Sequence, residues 1–160
     1  MVAECKRLGI AVDLAHGTAE LVSGALDASD AAMVWSHSWI RPQGGTFRDV
    51  GWIARSLALS TAQKIAARGG VVGLWNLQIR LEPAYPINSI KTYADEIMRM
   101  SDLIGPEHVA FGTDMEGVWP GRLMTSYDDL REVADNLVKR GITGSQLQGI
   151  FIGNYARVVK

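Results

Sequence analysis

Four short apolar stretches, each followed by a helical pattern, constrain the fold of this 160-residue chain more than any other feature. They lie near residues 8–16, 32–38, 70–75 and 108–114. Each is short, rich in aliphatic and β-branched residues, and bounded by glycine or polar residues, which is typical of buried parallel strands. Alternating strands and helices imply a parallel sheet with right-handed crossovers. The sequence therefore predicts a single α/β domain, residues 1–160, of four βα units plus a terminal helix.

The composition narrows the classes of partner that the chain can have. The chain has 16 Lys and Arg residues and 17 Asp and Glu residues, which gives a net charge of -1. Without a positive net charge, we expect no nucleic-acid partner. No apolar run reaches the ~18 residues that span a bilayer, and residues 1–7 lack the apolar core of a secretory signal. Cys5 is the single cysteine, which excludes an intrachain disulfide and a cysteine cluster for metal. We expect a cytoplasmic protein with no membrane partner.

Polar side chains end three of the apolar stretches: His16, His37 and Asp114. The carboxyl ends of strands are where α/β barrels place reactive groups. Two neutral imidazoles with oxygen ligands suit zinc or a similar borderline ion, although both histidines could instead hydrogen-bond at strand ends. Asp114 is compatible with a metal ligand, a general base or a turn residue. His108 begins its strand, at the opposite edge, and is expected to be structural.

Two further groups of residues are candidates for binding a small molecule. Arg55 follows a long irregular stretch, where it could clamp a substrate carboxylate or remain a solvated loop charge. Four tryptophans, which could line a pocket or the rim of the core, fall near strand ends: Trp39, Trp52, Trp75 and Trp119. A sugar-phosphate site is disfavoured because no glycine-rich turn follows a strand.

Five segments carry a family resemblance as an ordered set. They are residues 7–16, residues 35–38, residues 55–57 upstream of Gly69 and Gly70, residues 111–117 and residues 153–158. Together they resemble the renal (membrane) dipeptidase family of the amidohydrolase superfamily, which has a TIM-like (β/α)8 barrel. The resemblance implies a metal-dependent hydrolase that cleaves the amide bond of a dipeptide with a zinc-activated water.

The resemblance also assigns roles to residues of this chain. His16 and His37 would hold one of the family's two zinc ions, and Asp114 would handle the proton of the metal-bound water. Arg55 would bind the carboxylate of the dipeptide, with Arg48 as second choice if the long loop shifts the correspondence.

The chain departs from the family in ways that bear on activity. No histidine is followed two residues later by aspartate, and no segment resembles the one that carries the metal-bridging glutamate. Ser56 stands for the family's asparagine, and the tyrosine expected near residues 75–77 is absent, which leaves dipeptide specificity open. The sequence therefore resembles only the C-terminal half of the barrel, with an incomplete ligand set for at most one zinc. The alternative is a non-catalytic half-barrel that forms a homo-oligomer or needs a separate, complementary first-half chain.

Overall fold

A parallel sheet flanked by helices organises the chain. The computed structural model describes residues 1–42, 55–78, 87–115, 117 and 121–160. Within these ranges, three strands pair in the order β1 (Val34–Ser38), β2 (Val71–Trp75) and β3 (Val109–Gly112), all parallel. The helices are α1 (Val2–Arg7), α2 (Ala19–Ala28), α3 (Leu59–Ala67), α4 (Ile90–Ile104), α5 (Asp129–Lys139), α6 (Gly144–Gln148) and α7 (Asn154–Val158), with a 3-10 turn at Pro106–His108 and a π turn at Gly149–Gly153. The predicted parallel α/β fold is confirmed.

The longest described helix, α4, shows how the sequence builds the layer against the sheet. Ser89 and Thr92 form a capping box at its start, in which the side chain of each accepts a backbone N–H of the other. Its buried face includes Tyr93, whose hydroxyl donates to the Leu74 carbonyl at 2.7 Å. None of the described helices is both long enough and apolar enough to cross a membrane.

The predicted first strand, near residues 8–16, is wrong as a regular strand. Among the described residues, only Asp13 of this stretch pairs, through a single parallel bridge to Val34; Leu14 N–H donates to Val34 O, and Val34 N–H donates to the carbonyl of Val12. In the described part of the chain the stretch has a sheet neighbour on one side only, and Gly9, at φ +67°, turns the chain near its start. Apolar content therefore predicted the right location but overestimated the length of the ladder.

The C-terminal helical run, residues 144–158, fixes the amino ends of β2 and β3. The amide of Asn154, 7% exposed, donates to the carbonyls of Pro106 and Val109 at 2.8 and 2.7 Å. The guanidinium of Arg157 donates to the carbonyls of Gly69 and Glu107. These bonds supply donors to main-chain carbonyls just before β2 and β3 and to the buried carbonyl of Val109, the first residue of β3. The terminal run is therefore part of the sheet's support.

Candidate metal and active site

A bulge at the end of β1 places His37. Trp35 pairs with Val72 and Ser38 pairs with Leu74, so β1 carries one more residue than β2 over this interval. A bulge of this kind bends a strand and changes the direction of a side chain. Here it lies at residues 36 and 37, which brings the His37 imidazole to the carboxyl edge of the sheet.

Glycines in the neighbouring strands make room for that bulge. A Cβ at Gly73 would lie 2.1 Å from the Ser36 carbonyl oxygen, and one at Gly112 would lie 2.2 Å from the same atom. Both contacts are with backbone, which cannot move aside as a flexible side chain would. The two glycines therefore permit the path of β1 that carries His37.

Asp13 fixes the segment that leads to His16. Its Oδ1 accepts the backbone N–H of Ala15 at 3.0 Å and that of Ser36 at 3.1 Å, which ties the segment to β1. His16 follows in the left-handed region, at φ +60°. Sequence reasoning missed Asp13; the one signal for it was a charged residue inside an apolar stretch.

The structure brings His16 and His37 together. Their Nε2 atoms lie 2.8 Å apart, and their ring centroids are 4.8 Å apart at an interplanar angle of 60°. The other ring nitrogen of His37, Nδ1, contacts Ser36 Oγ at 2.9 Å, an interaction that orients the ring. Burial lowers the pKa of His37, the carboxylate of Asp114 opposes this shift, and His16 adds to it.

Asp114 completes this cluster from the end of β3. Its Oδ2 lies 3.7 Å from His37 Nε2 and accepts the indole N–H of Trp75 at 3.1 Å. Among the described residues, Asp114, at φ +42°, and His16 are the two non-glycine residues with positive φ. Strained backbone of this kind concentrates at functional sites, although Asp and His tolerate it better than most residues.

The donor set fits a metal ion in chemistry but is short in number. Two imidazole nitrogens that face one another are ligands of a type that zinc takes in proteins, and His16 and His37 would supply them. At 2.8 Å the two Nε2 atoms are at hydrogen-bond distance from one another. Within the described ranges, no three His, Cys, Asp or Glu side chains form a metal-binding group. The site therefore offers two imidazoles and a nearby carboxylate.

A cavity of about 370 Å³ opens beside the cluster. Its lining includes His37 and Asp114 together with the aromatic residues Phe111, Phe151 and Tyr155. A small molecule in this cavity would contact the same carboxylate that faces the imidazoles.

The remaining sequence candidates fall in different places. The main chain of Arg55 lies next to the end of β1, because its carbonyl accepts the Ser38 hydroxyl at 2.8 Å, while the residue itself is exposed. Arg48, Trp52 and Trp119 lie outside the described residues. His108 contacts the Gly70 carbonyl through Nδ1 at 2.8 Å, at the opposite edge of the sheet, as expected for a structural histidine.

Comparisons with known proteins agree with this arrangement. The family model described as membrane dipeptidase (peptidase family M19) matches residues 1–160. Dipeptidase 3 of Rattus norvegicus is 27% identical over 163 residues, which cover 100% of this chain and 31% of that protein.

Two solved structures have the same fold. The probable dipeptidase PvdM from Pseudomonas aeruginosa superposes with a TM-score of 0.81 at 18% identity, covering 99% of this chain and 52% of that one. A metallopeptidase from Rhodobacter sphaeroides, liganded with a phosphinate mimic of the dipeptide L-Ala-D-Ala, gives 0.78 at 20% identity, covering 99% and 44%. The chain thus spans about a third of the first curated relative and about half of each structure, as the predicted half-barrel requires.

Proposed function

Since this chain belongs to the membrane dipeptidase family, peptidase family M19, we propose that it forms the part of a zinc-dependent dipeptidase that holds one metal ion and the proton-transfer group. Members of this family are dipeptidases, and the substrate class of the proposed enzyme is therefore dipeptides. The observation that carries the proposal is the meeting of two Nε2 atoms at 2.8 Å, with a carboxylate oxygen 3.7 Å from one of them.

Each residue of the cluster has a distinct role in the proposed reaction. His16 and His37 would hold zinc, which in a hydrolase lowers the pKa of water and polarises the carbonyl under attack. Asp114 accepts a proton from the attacking water and then returns it to the leaving amine. It thus acts first as the general base and then as the general acid. Arg55 orients the substrate by pairing with its carboxylate.

The ligand count supports the alternative for the isolated chain. Catalytic zinc sites have three protein ligands, whereas the described residues supply two imidazoles and no group of three. A non-catalytic half-barrel that assembles with itself or with a complementary first half would gain further ligands only from its partner. The isolated chain is then expected to bind zinc weakly and to lack activity.

Zinc binding tests the first proposal, with a matched control in the chain's third histidine. We expect His16→Ala and His37→Ala each to weaken zinc binding by at least the roughly 10–100-fold that loss of an outer partner costs. His108→Ala should leave it unchanged, because His108 lies at the opposite edge of the sheet. Isothermal titration with zinc measures all four proteins. Equal affinities for the wild type and both site variants would refute the two-histidine site.

Hydrolysis of L-Ala-D-Ala separates the two proposals. The dipeptide is chosen because a mimic of it binds the similar Rhodobacter sphaeroides metallopeptidase. Turnover by the isolated chain that a chelator and His37→Ala both abolish would support a complete enzyme. Zinc binding without turnover would support the half-barrel alternative.

A further inference from the structure

We propose that Trp75 is the positioning residue for Asp114: its indole N–H fixes the carboxylate, and its ring packs beside both imidazoles. This inference rests on the proposed function, in which Asp114 transfers the proton. It extends that function by naming a residue that acts through Asp114.

The register of the sheet brings the two residues together. β2 ends at Trp75, which pairs with Gly112 at the end of β3, and Asp114 follows two residues later. Gly112 has no side chain to stand between the indole and the turn that carries Asp114. The indole can therefore reach across from one strand end to the next.

Asp114 is held at its main chain and at its carboxylate. Gly117 N–H donates to the main-chain carbonyl of Asp114 at 3.0 Å, and Gly117 lies so close to the side chain that an added Cβ would be 2.2 Å from Oδ1. At the carboxylate, Oδ2 accepts the Trp75 indole N–H. The tight turn sets the backbone and the indole sets the rotamer, so that the same Oδ2 faces His37 Nε2 at 3.7 Å.

The Trp75 ring also contacts the histidine pair. Its centroid lies 5.3 Å from that of His37 and 6.1 Å from that of His16, the latter in an edge-to-face arrangement. Trp75 is 7% exposed and so is held by packing. One rigid side chain therefore sets the relative positions of both imidazoles and the carboxylate.

Indole chemistry suits this task. An indole N–H donates and does not accept, and it does not titrate at physiological pH. It can hold a carboxylate by a charge-assisted hydrogen bond without competing for the proton that Asp114 transfers. A histidine, lysine or tyrosine in its place would add a second group able to exchange that proton.

Nuclear magnetic resonance tests the positioning without any turnover. The chain has five tryptophans, and Trp75→Phe identifies the Trp75 indole signal by its loss. We expect Asp114→Ala to shift this signal upfield and to speed its exchange with water, leaving the other indoles in place. Asp128→Ala, on an exposed turn with no side-chain cap bond, should move none of them.

The reciprocal measurement follows the carboxyl carbon of Asp114. In Trp75→Phe, which keeps an aromatic ring but removes the donor, this signal should move toward that of the exposed Asp128. An unmoved Asp114 carboxyl signal, or an indole signal insensitive to Asp114→Ala, would overturn the proposal.

Kinetics distinguish a positioning role from a purely structural one. In a sample that hydrolyses dipeptides, Trp75→Phe should lower kcat by about 10–100-fold with little change in KM, the cost of a misplaced reacting group. It should cause no further loss in an Asp114→Asn background, because it acts through that residue. Additive losses, or a change confined to KM, would overturn the proposal. A wild-type protein without turnover would count against the proposed function alone, and the resonance measurements would then decide the role of Trp75.

Discussion

Single residues at the candidate site occupy backbone positions that few residue types tolerate. His16 and Asp114 adopt positive φ, and the carbonyl of Ser36 approaches two glycines too closely for any side chain there. Such positions destabilise the fold unless the surroundings hold them. Here Asp13 accepts the Ser36 N–H, and the Trp75 indole and the Gly117 backbone donate to Asp114. The site is therefore sensitive to substitutions that do not touch a candidate ligand.

Gly112→Ala tests this sensitivity. The added methyl group would meet the Ser36 carbonyl and the His37 Cα, so we expect a loss of about 1–3 kcal/mol in the free energy of unfolding, as in other overpacked sites. Zinc affinity should fall with it, because the bulge that presents His37 must shift.

The matched control is Gly24→Ala. Gly24 lies inside α2 with nothing within 4 Å of its added Cβ, so alanine there should stabilise the chain by about 0.5–1 kcal/mol. Urea denaturation followed by circular dichroism measures both variants. A harmless Gly112→Ala would show that the bulge is not as confined as the distances indicate.

Elements of the fold are joined by side chains that satisfy main-chain groups of other elements. Asn76, fully buried, accepts the N–H groups of Leu123 and Met124 and donates to the Met124 carbonyl, which fixes the approach to α5. Asn154 does the same for the amino end of β3. Helix α4 reaches the segment that follows β1 in a similar way, through Arg99, which donates to the Ile40 carbonyl while pairing with Glu96.

Removal of the Asn154 amide should loosen the C-terminal run. Asn154→Ala removes the side-chain donor from the buried Val109 carbonyl and one of two donors from the Pro106 carbonyl, which keeps the Val109 N–H, at an expected cost of about 1–3 kcal/mol in the free energy of unfolding. Gln148→Ala, an exposed position in the same run, should change it by less than about 0.5 kcal/mol. Thermal unfolding compares the two, and equal midpoints would contradict this role for Asn154.

The turn before α5 predicts a pH dependence. Hydrogen bonds from the backbone N–H groups of Thr125 and Ser126 lower the pKa of Asp129. A carboxyl whose pKa is lower in the folded state than in the unfolded state stabilises the fold at pH values above its unfolded pKa, which is about 3.9. This contribution is lost as the pH falls through the pKa of the folded state.

The stability difference between wild type and Asp129→Ala should accordingly be largest at neutral pH and shrink as the pH falls below about 4. Denaturant titrations at several pH values measure it. Asp128→Ala, which removes no cap bond, should show no such trend. A stability difference between the two proteins that grows as the pH falls would mean that folding raises the pKa of Asp129 instead of lowering it.

At the scale of the whole molecule, the sheet is open at both edges within the described residues. The bridge at Asp13 is all that pairs with the outer side of β1, and β3 pairs with β2 alone. Large apolar side chains are exposed in segments that lead to or line these edges: Leu8 and Ile10, at 54% each, precede the bridged Asp13, and Ile152, at 66%, lines a cavity with residues of β3. Unpaired edges with apolar neighbours favour association with another chain.

We therefore expect the isolated chain to self-associate at micromolar concentration. Leu8→Lys with Ile10→Lys should reduce association, whereas Val138→Lys, equally exposed on α5 at 55%, should leave it unchanged. Size-exclusion chromatography with light scattering gives the masses. A wild-type monomer that unfolds cooperatively would exclude this use of the edges.

The sequence alone determined the class of fold and the identity of the residues that meet at its edge. Short apolar runs locate the strands because apolar side chains are the ones that become buried. The carboxyl ends of parallel strands lie at one edge of the sheet whatever the length of each strand. Because His16, His37 and Asp114 each end an apolar stretch, the sequence was enough to predict that they meet at one edge of the sheet. The order of the short motifs along the chain indicated the protein family.

Tertiary structure decided what depends on contacts between distant segments. The bulge in β1, the glycines that accommodate it and the reach of Trp75 to Asp114 arise from strand register, which no local pattern records. The shortening of the predicted first strand likewise reflects a neighbour on one side only. Local propensity states what a segment can form, whereas pairing and close packing determine how much of it forms and where each side chain is held.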